Sequence, residues 1–159
     1  MTTTALIYGM AISGEAVARA LHERGARLLV ADDNPNETKA AAAQAVGAEL
    51  IAHPDNESLD ALVAASDIVC PAPGVAETHP VIAAARRHAT PIRTEIDLAY
   101  EWEQQRSGGP RPMLAVTGTD GKTTTTMMAA AMLQCAGLKA AAVGNTETPL
   151  IAALDTDVD

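Results

Sequence analysis

A glycine-rich stretch near the end of the chain has the residue types and spacing of a phosphate-binding loop: Gly118, Thr119, Asp120, Gly121, Lys122, Thr123 and Thr124. Backbone N–H groups at the start of a helix can surround phosphate oxygens. Lys122 would add positive charge at the β- and γ-phosphates, and the Thr123 hydroxyl would ligate Mg²⁺. We therefore predict a site for ATP and Mg²⁺. Val116 stands where the general pattern has its first glycine, so a chance Gly-Lys-Thr at a helix start is the alternative.

A second glycine-containing turn lies at the other end of the chain, in the stretch LIYGMAISG. Gly9 would permit a tight strand-to-helix turn, and Gly14 would permit close packing of helix on strand. Asp32 falls at the end of the next predicted strand, where an acid accepts a hydrogen bond from a ribose hydroxyl or a base N–H. The pattern predicts nucleotide binding, with a purely structural turn as the alternative. Ala11 replaces the middle glycine and disfavours NAD.

Apolar runs alternate with helical periods along the first part of the chain. Strands are predicted at Ala5–Tyr8, Arg27–Ala31, Glu49–Ala52, Asp67–Cys70 and Pro91–Arg93, and helices at Glu15–Arg24, Glu37–Val46, Ser58–Ala65 and Pro80–His88. This alternation predicts a mostly parallel sheet with right-handed crossovers.

A second unit is predicted after a helix over Thr94–Gln105 and a turn-rich linker. Its elements are a strand at Met113–Thr117, a helix at Lys122–Cys135, a strand at Lys139–Val143 and a short helix at Thr148–Leu154. The predicted fold class is therefore α/β: a Rossmann-like parallel sheet over residues 1–93, then the first βαβ unit of a P-loop ATPase domain over residues 94–159. This second unit has too few strands to bury both faces of a parallel sheet. We therefore expect that the second domain is incomplete and that the chain is an N-terminal segment of a longer protein. We also expect the uncovered surfaces of this unit to cause self-association.

Composition narrows the possible partners. The chain has 11 Lys and Arg against 20 Asp and Glu, a net charge of −9, which gives no basic surface for nucleic acid. No apolar run is long enough for a membrane span and no secretory signal precedes the first strand, so a cytoplasmic protein is expected. Cys70 and Cys135 are expected to be buried free thiols, because neither has metal-ligand spacing.

The stretch GTDGKTTTT resembles the ATP loop of the Mur ligases of bacterial peptidoglycan synthesis. Three further stretches are similar to the branch of this family that adds D-glutamate: PAPGV with the following THP, TEIDLAYEW, and VGNTETPL. The resemblance covers essentially the whole chain.

The resemblance implies an ADP-forming ligase that joins D-glutamate to UDP-N-acetylmuramoyl-L-alanine through an acyl phosphate. The two loops would then serve two substrates, the first domain holding the UDP end and the second loop holding ATP. The resemblance also assigns residues to the UDP-sugar. Ile12, Ser13 and Asp32 would contact uracil and ribose, Pro73 and Gly74 would lie by the diphosphate, and Asn145 would lie near the muramoyl sugar. Family residues that would complete catalysis are expected beyond this chain, so the chain alone is expected to be inactive.

The chain departs from the family pattern at several positions. Asp33 and Asn34 stand where family members often have Thr and Arg, and Asp120 stands where Asn is usual. Two other interpretations stay open: another Mur ligase that adds L-alanine, diaminopimelate or lysine, and a NAD-binding redox or sensing module with a vestigial second loop.

Overall fold

The computed structural model describes residues 2–144 and 148–158. The chain divides into two compact units, Met1–Asp97 and Leu98–Asp159. Among the described residues, no helix is both long and apolar enough to cross a membrane.

The first unit contains a four-stranded parallel sheet of order β3-β2-β1-β4. Its strands are β1 (Thr4–Tyr8), β2 (Arg27–Asp32), β3 (Leu50–Ala52) and β4 (Ile68–Pro71). Ile7 in the central strand pairs with Val30 on one side and Cys70 on the other. The predicted parallel sheet is confirmed, and each of these strands lies within a residue of its predicted bounds.

Four helices connect and follow these strands: α1 (Ile12–Glu23), α2 (Glu37–Ala45), α3 (Asn56–Ala64) and α4 (Pro80–Arg87). Side chains of Asn36, Asp55 and His79 cap the last three by accepting a hydrogen bond from a first-turn N–H. Helix α1 begins three residues earlier than predicted, so Ile12 and Ser13 lie in its first turn. The predicted strand Pro91–Arg93 is reduced to one parallel bridge between Val69 and Ile92.

Aliphatic side chains and alanines form the core of this unit. Leu6, Val69 and Val81 are fully buried, and Ala84 and Ala85 of α4 belong to the same apolar cluster. Cys70 is buried in β4, as expected, and burial raises the pKa of its thiol to about 12, which leaves it protonated and unreactive.

The turn between β1 and α1 depends on two glycines. Gly9 has a φ of +94°, and a Cβ there would lie 2.8 Å from the Cβ of Ala72. A Cβ on Gly14 would lie 1.9 Å from the carbonyl oxygen of Gly9, far inside van der Waals contact. The first turn of α1 can therefore fold against the strand end only if both positions lack a side chain.

Helix α5 (Glu95–Gln104) spans the boundary between the units. Its start has the predicted reciprocal cap: Thr94 Oγ1 accepts from the Asp97 N–H at 3.2 Å, and Asp97 Oδ2 accepts from the Thr94 N–H at 2.9 Å. In the second unit, α6 (Lys122–Cys135) has its predicted bounds, and the predicted short helix is a 3₁₀ turn, Leu150–Ala153.

The prediction of two strands in the second unit is wrong for the described residues. Neither Met113–Thr117 nor Lys139–Val143 forms a ladder, because a strand needs a hydrogen-bonded partner and the described residues provide none. The predicted burial of Cys135 is also wrong, since this thiol is exposed. Met127, Met128 and Met132 are exposed on α6. Self-association through this unit stays a prediction.

A buried ion pair organises the second unit. Arg111 donates to Glu103 from its backbone N–H at 2.9 Å, from Nε at 3.0 Å and from Nη2 at 2.6 Å. The other edge of the same guanidinium donates to carbonyl oxygens of Leu154 and Thr156. Glu103, 1% exposed, thereby ties α5 to the linker and to the segment after the 3₁₀ turn. These hydrogen bonds from Arg111 outweigh burial and lower the pKa of Glu103 to about 2.

The Gly14→Ala substitution is expected to destabilise the first unit by about 3 kcal/mol or more, because the new Cβ meets backbone that cannot move aside. Urea unfolding followed by far-ultraviolet circular dichroism measures the change. Gly74→Ala is the control, since a Cβ at Gly74 meets nothing within 4 Å. Equal unfolding midpoints for the two variants would contradict the close-packed turn.

The Glu103→Gln substitution is expected to destabilise the second unit by roughly 2–4 kcal/mol at neutral pH, because the partly buried guanidinium of Arg111 loses its counter-charge. The pKa of Glu103 lies below its ordinary 4.5, so its stabilisation is complete above that value and is lost as the pH falls toward about 2. The difference between wild type and variant should therefore shrink over that range.

Fluorescence of Trp102, the single tryptophan, follows the unfolding of this unit. The matched control is Asp157→Asn, which removes an exposed carboxylate paired with Lys139 in the same unit. The interpretation of Glu103 fails if both variants have the same small, pH-independent effect.

Candidate functional site

The carboxyl edge of the parallel sheet brings together the loops that follow β1, β2 and β4. The chain builds β2 and β3 on one side of β1 and then places β4 on the other side. In parallel α/β sheets, ligands bind outside the carboxyl ends of the strands, where the strand order reverses. This position lies between β1 and β4. The Ala72 N–H donates to the Tyr8 carbonyl at 2.8 Å and holds the two flanking loops together there.

Four of the predicted UDP-sugar residues lie at this edge, two in the first turn of α1 and two in the loop after β4. Ile12 is exposed and Ser13 is partly exposed in the first turn of α1, whose N-cap residue, Ala11, makes no side-chain capping bond. Pro73 and Gly74 are exposed in the loop after β4. Asn145 lies outside the described residues.

Asp32, predicted to accept from the ligand, already accepts three hydrogen bonds within the protein. Its Oδ2 accepts from the Met10 N–H at 2.7 Å, and its Oδ1 accepts from the Asn34 N–H at 2.7 Å and from Lys39 Nζ at 2.8 Å. The residue is only 4% exposed. Asp32 therefore joins the β1–α1 turn to the loop after β2.

The charge of Asp32 is maintained by these contacts. Burial alone raises its pKa, but the hydrogen bonds from Lys39, Met10 and Asn34 outweigh burial and the pKa is lowered. Lys39 also donates to the Asn34 carbonyl at 2.8 Å. Lys39 is absent from the predicted site residues; its signal in the sequence is a cation in the first turn of the helix that follows the Asp-Asp-Asn turn.

A second carboxylate, Asp33, stands beside Asp32 at the same edge. It accepts a hydrogen bond from the Tyr8 hydroxyl at 2.7 Å and contacts His79 Nε2 at 3.0 Å. This contact joins the end of β1, the loop after β2 and the loop before α4. The sequence predicts no role for the Tyr8 hydroxyl, because its partner Asp33 is distant in the chain.

In the second unit, the predicted phosphate loop precedes α6 as expected. Gly118 and Gly121 have φ angles of +152° and +76°, which favour glycine. Gly121 is the N-cap residue, and no side chain caps the helix. The amide groups of the first turn thus remain in position to bind an anion.

The side chains of the loop fit a nucleotide phosphate. Lys122 Nζ bends back over the loop and donates to the Gly118 carbonyl at 2.6 Å, with the Thr119 carbonyl at 3.3 Å. An ammonium group has three N–H donors, so one stays available to a phosphate oxygen. Thr119, Asp120, Thr123 and Thr124 are exposed. Thr123 could supply one oxygen ligand to Mg²⁺, but the described residues contain no cluster of three or more His, Cys, Asp or Glu.

A cavity of about 390 Å³ lies away from the carboxyl edge. It is lined by Leu29, Ile51 and Leu62, with Thr4 and Arg27 at the amino ends of β1 and β2. It contains none of the predicted ligand residues.

The chain is an α/β protein. Its parallel strands, its glycine turn at the carboxyl edge and its separate glycine-lysine loop at a helix start are typical of nucleotide-binding proteins. The family model for the Mur ligase MurD-like N-terminal domain matches residues 3–94. The chain belongs to this family.

Two relatives named UDP-N-acetylmuramoylalanine--D-glutamate ligase extend the similarity beyond that domain. The protein from Mycolicibacterium vanbaalenii is 39% identical over 155 residues, which cover 97% of this chain and 31% of the relative. The protein from Frankia casuarinae is 43% identical over 152 residues, which cover 94% of this chain and 30% of the relative. The chain thus spans less than a third of each relative.

Solved structures support the fold. The match to UDP-N-acetylmuramate-alanine ligase from Thermotoga maritima covers 87% of this chain and 30% of the ligase chain. Its TM-score is 0.55 and the sequence identity is 24%. A second match is to UDP-N-acetylmuramate:L-alanyl-gamma-D-glutamyl-meso-diaminopimelate ligase from Neisseria meningitides. It covers 87% of this chain and 41% of that ligase chain, with a TM-score of 0.57 and 22% identity. Both likenesses concern the fold alone.

The Asp32→Asn substitution is expected to destabilise the first unit by about 2–4 kcal/mol, because Lys39 loses its counter-charge and an amide cannot accept all three hydrogen bonds. Urea unfolding measures the loss. The control is Asp67→Asn, since Asp67 accepts an exposed hydrogen bond from Thr4 N–H, and its loss should cost no more than about 1 kcal/mol. Adding Lys39→Met to Asp32→Asn should recover part of the loss. A cost for Asp32→Asn no larger than that of the control would contradict the role of this carboxylate.

Proposed function

We propose that this chain is the N-terminal part of an ADP-forming ligase that adds D-glutamate to UDP-N-acetylmuramoyl-L-alanine in peptidoglycan synthesis. The proposal is carried by the 39% and 43% identity, over almost the whole chain, to relatives that bear the name of this activity. The loop at Lys122 supports it, because the proposed chemistry consumes a nucleoside triphosphate.

The two units would bind different substrates. Ile12, Ser13, Pro73 and Gly74 would contact the UDP end of the muramoyl substrate, with Asn145 at the sugar. Asp32 would act mainly by holding the loops, since its carboxylate already has three donors. Residues 118–124 would hold the phosphates of ATP, and the Thr123 hydroxyl would be one ligand of Mg²⁺.

In the proposed reaction, ATP supplies the phosphoryl group that turns the alanyl carboxylate into an acyl phosphate. The amine of D-glutamate then attacks the acyl carbon and phosphate leaves as the amide bond forms. Lys122 would stabilise negative charge on the transferred group, and the backbone N–H groups at the start of α6 would hold the phosphates in place. We also propose that this chain alone forms no ADP, that it works in the cytoplasm, and that its ligands include neither nucleic acid nor membrane.

Two alternatives are distinguishable from this proposal. Another Mur ligase would share the fold and loop but act on a different amino acid, whereas a NAD-binding module would use the first turn for NAD. Ala11 in that turn disfavours NAD, and the two named relatives favour the D-glutamate reaction.

The test is calorimetric titration of the chain with UDP-N-acetylmuramoyl-L-alanine, UDP, NADH and Mg-ATP. We expect binding of both UDP compounds and of Mg-ATP. Lys122→Ala should weaken Mg-ATP binding about tenfold or more while leaving UDP binding unchanged. Asp120→Asn should strengthen Mg-ATP binding several-fold, because a negative charge beside the phosphates is removed.

The matched control for Lys122→Ala is Lys139→Ala, which removes an exposed lysine of the same unit that pairs with Asp157. It should leave both titrations unchanged. Binding of NADH without binding of UDP would overturn the proposal in favour of the redox or sensing module.

A further inference from the structure

The cavity of about 390 Å³ in the first unit has no role in the function proposed above. Its volume lies near the lower end of the roughly 300–1,000 Å³ that is usual for small-molecule sites. Leu59 and Val63 of α3 belong to the apolar core cluster. A neighbouring stripe of the same helix, at positions i, i+3, i+4 and i+7, forms one wall of the cavity: Ser58, Ala61, Leu62 and Ala65.

The opposite wall is one face of the sheet. Leu29 of β2 and Ile51 of β3 share this face, because Ala31 pairs with Ile51 and successive side chains of a strand alternate between faces. Leu29, Ile51 and Leu62 are each partly buried and pack against the apolar core cluster. The cavity therefore has an aliphatic lining that an apolar chain would remove from water.

A cation lies at one end of this lining. Arg27 begins β2 and lines the cavity beside Thr4, its Cα partner in β1. The Arg27 backbone N–H donates to the Thr3 carbonyl at 2.9 Å, but its guanidinium has no hydrogen-bond or ion-pair partner among residues 2–144 and 148–158. A guanidinium presents a planar fork of donors that matches a carboxylate. An anionic group is therefore favoured at this end.

The other end of the cavity has the opposite charge. Asp55 caps α3 by accepting a hydrogen bond from the Ser58 N–H at 2.8 Å, so a carboxylate stands beside this end. A second anion would be repelled there, and the polar groups give no apolar surface. The stripe from Ser58 to Ala65 is about 10 Å long, which matches an extended chain of about eight carbons.

We propose that this cavity is a binding site for a medium-chain aliphatic carboxylate. The chain covers Leu29, Ile51 and Leu62, and the carboxylate pairs with Arg27. The site lies apart from every residue assigned above to UDP-sugar or ATP, so this inference does not depend on the proposed function.

The test is titration of the chain with octanoate, followed by ¹H–¹⁵N spectra. We expect a dissociation constant on the order of 1 mM or tighter, with shifts concentrated at the amides of Leu29, Ile51 and Leu62. Hexanoate should bind about four- to tenfold more weakly because two methylenes are lost, whereas decanoate should gain less than about twofold because the lining ends at Ser58. UDP and Mg-ATP should not displace octanoate.

The role of the charge is measured by the ratio of the affinities for octanoate and octanamide, which is neutral and of the same size. In the wild type, octanoate should bind about fivefold more tightly. In Arg27→Gln, the two ligands should differ by less than about twofold. Arg19→Gln is the matched control, since Arg19 is an exposed arginine of α1, a helix that contributes no residue to the cavity lining.

The role of the cavity itself is measured with Ala61→Leu, which places a larger side chain in the cavity at an exposed helix position. It should weaken both octanoate and octanamide about fivefold or more while keeping their ratio. Ala64→Leu is the matched control, since Ala64 is also exposed on α3 but does not line the cavity. Far-ultraviolet circular dichroism should show the same helix content in both variants.

Several outcomes would overturn the inference. Octanoate that fails to bind at about 10 mM would leave the cavity without this ligand. Equal affinities for octanoate and octanamide in the wild type, or an unchanged ratio in Arg27→Gln, would show that Arg27 does not select the anion. Displacement of octanoate by UDP would place it at the carboxyl edge. Co-sedimentation with phosphatidylglycerol vesicles that octanoate does not compete would assign the surface to a membrane.

Discussion

The carboxylate of Asp32 is the constraint on which the carboxyl edge of the sheet in the first unit depends. Its hydrogen bonds to the Met10 and Asn34 N–H groups fix the two loops that follow β1 and β2. Because the group is buried, its charge needs compensation, and Lys39 provides it at 2.8 Å. The glycine turn, the exposed start of α1 and the orientation of Asp33 all rely on loops held in this way.

The two units reach stability by different physics. In the first, aliphatic strands are buried between helices, and the parallel ladder satisfies the backbone. In the second, the described residues form no ladder. There the guanidinium of Arg111 connects the segments by donating hydrogen bonds to Glu103 and to carbonyl groups after the 3₁₀ turn. A charge-based connection of this kind is sensitive to pH, whereas apolar burial is not.

Departures from the family pattern change the chemistry of the carboxyl edge of the sheet. Asp33 stands where family members often have Thr, and Asn34 stands where they often have Arg. Tyr8 and His79 hold the Asp33 carboxylate in place. The ammonium group of Lys39 at this turn already donates to Asp32 and to the Asn34 carbonyl. The edge therefore presents a half-exposed carboxylate, Asp33, that two side chains hold in place.

The sequence by itself determined the elements whose causes are local. Periodicity and capping located the helices, including α6 to the residue, and apolar runs located the four strands of the first sheet. The glycine loop before Lys122 was also readable, because its chemistry depends on adjacent residues. Tertiary structure alone decided that Asp32 accepts three hydrogen bonds within the protein and that Asp33 has partners 25 and 46 residues away. It also decided that two strand-like segments lack a ladder among the described residues. The physical reason is that a hydrogen bond or a β-ladder needs a partner, and a partner distant in the chain leaves no mark on local sequence.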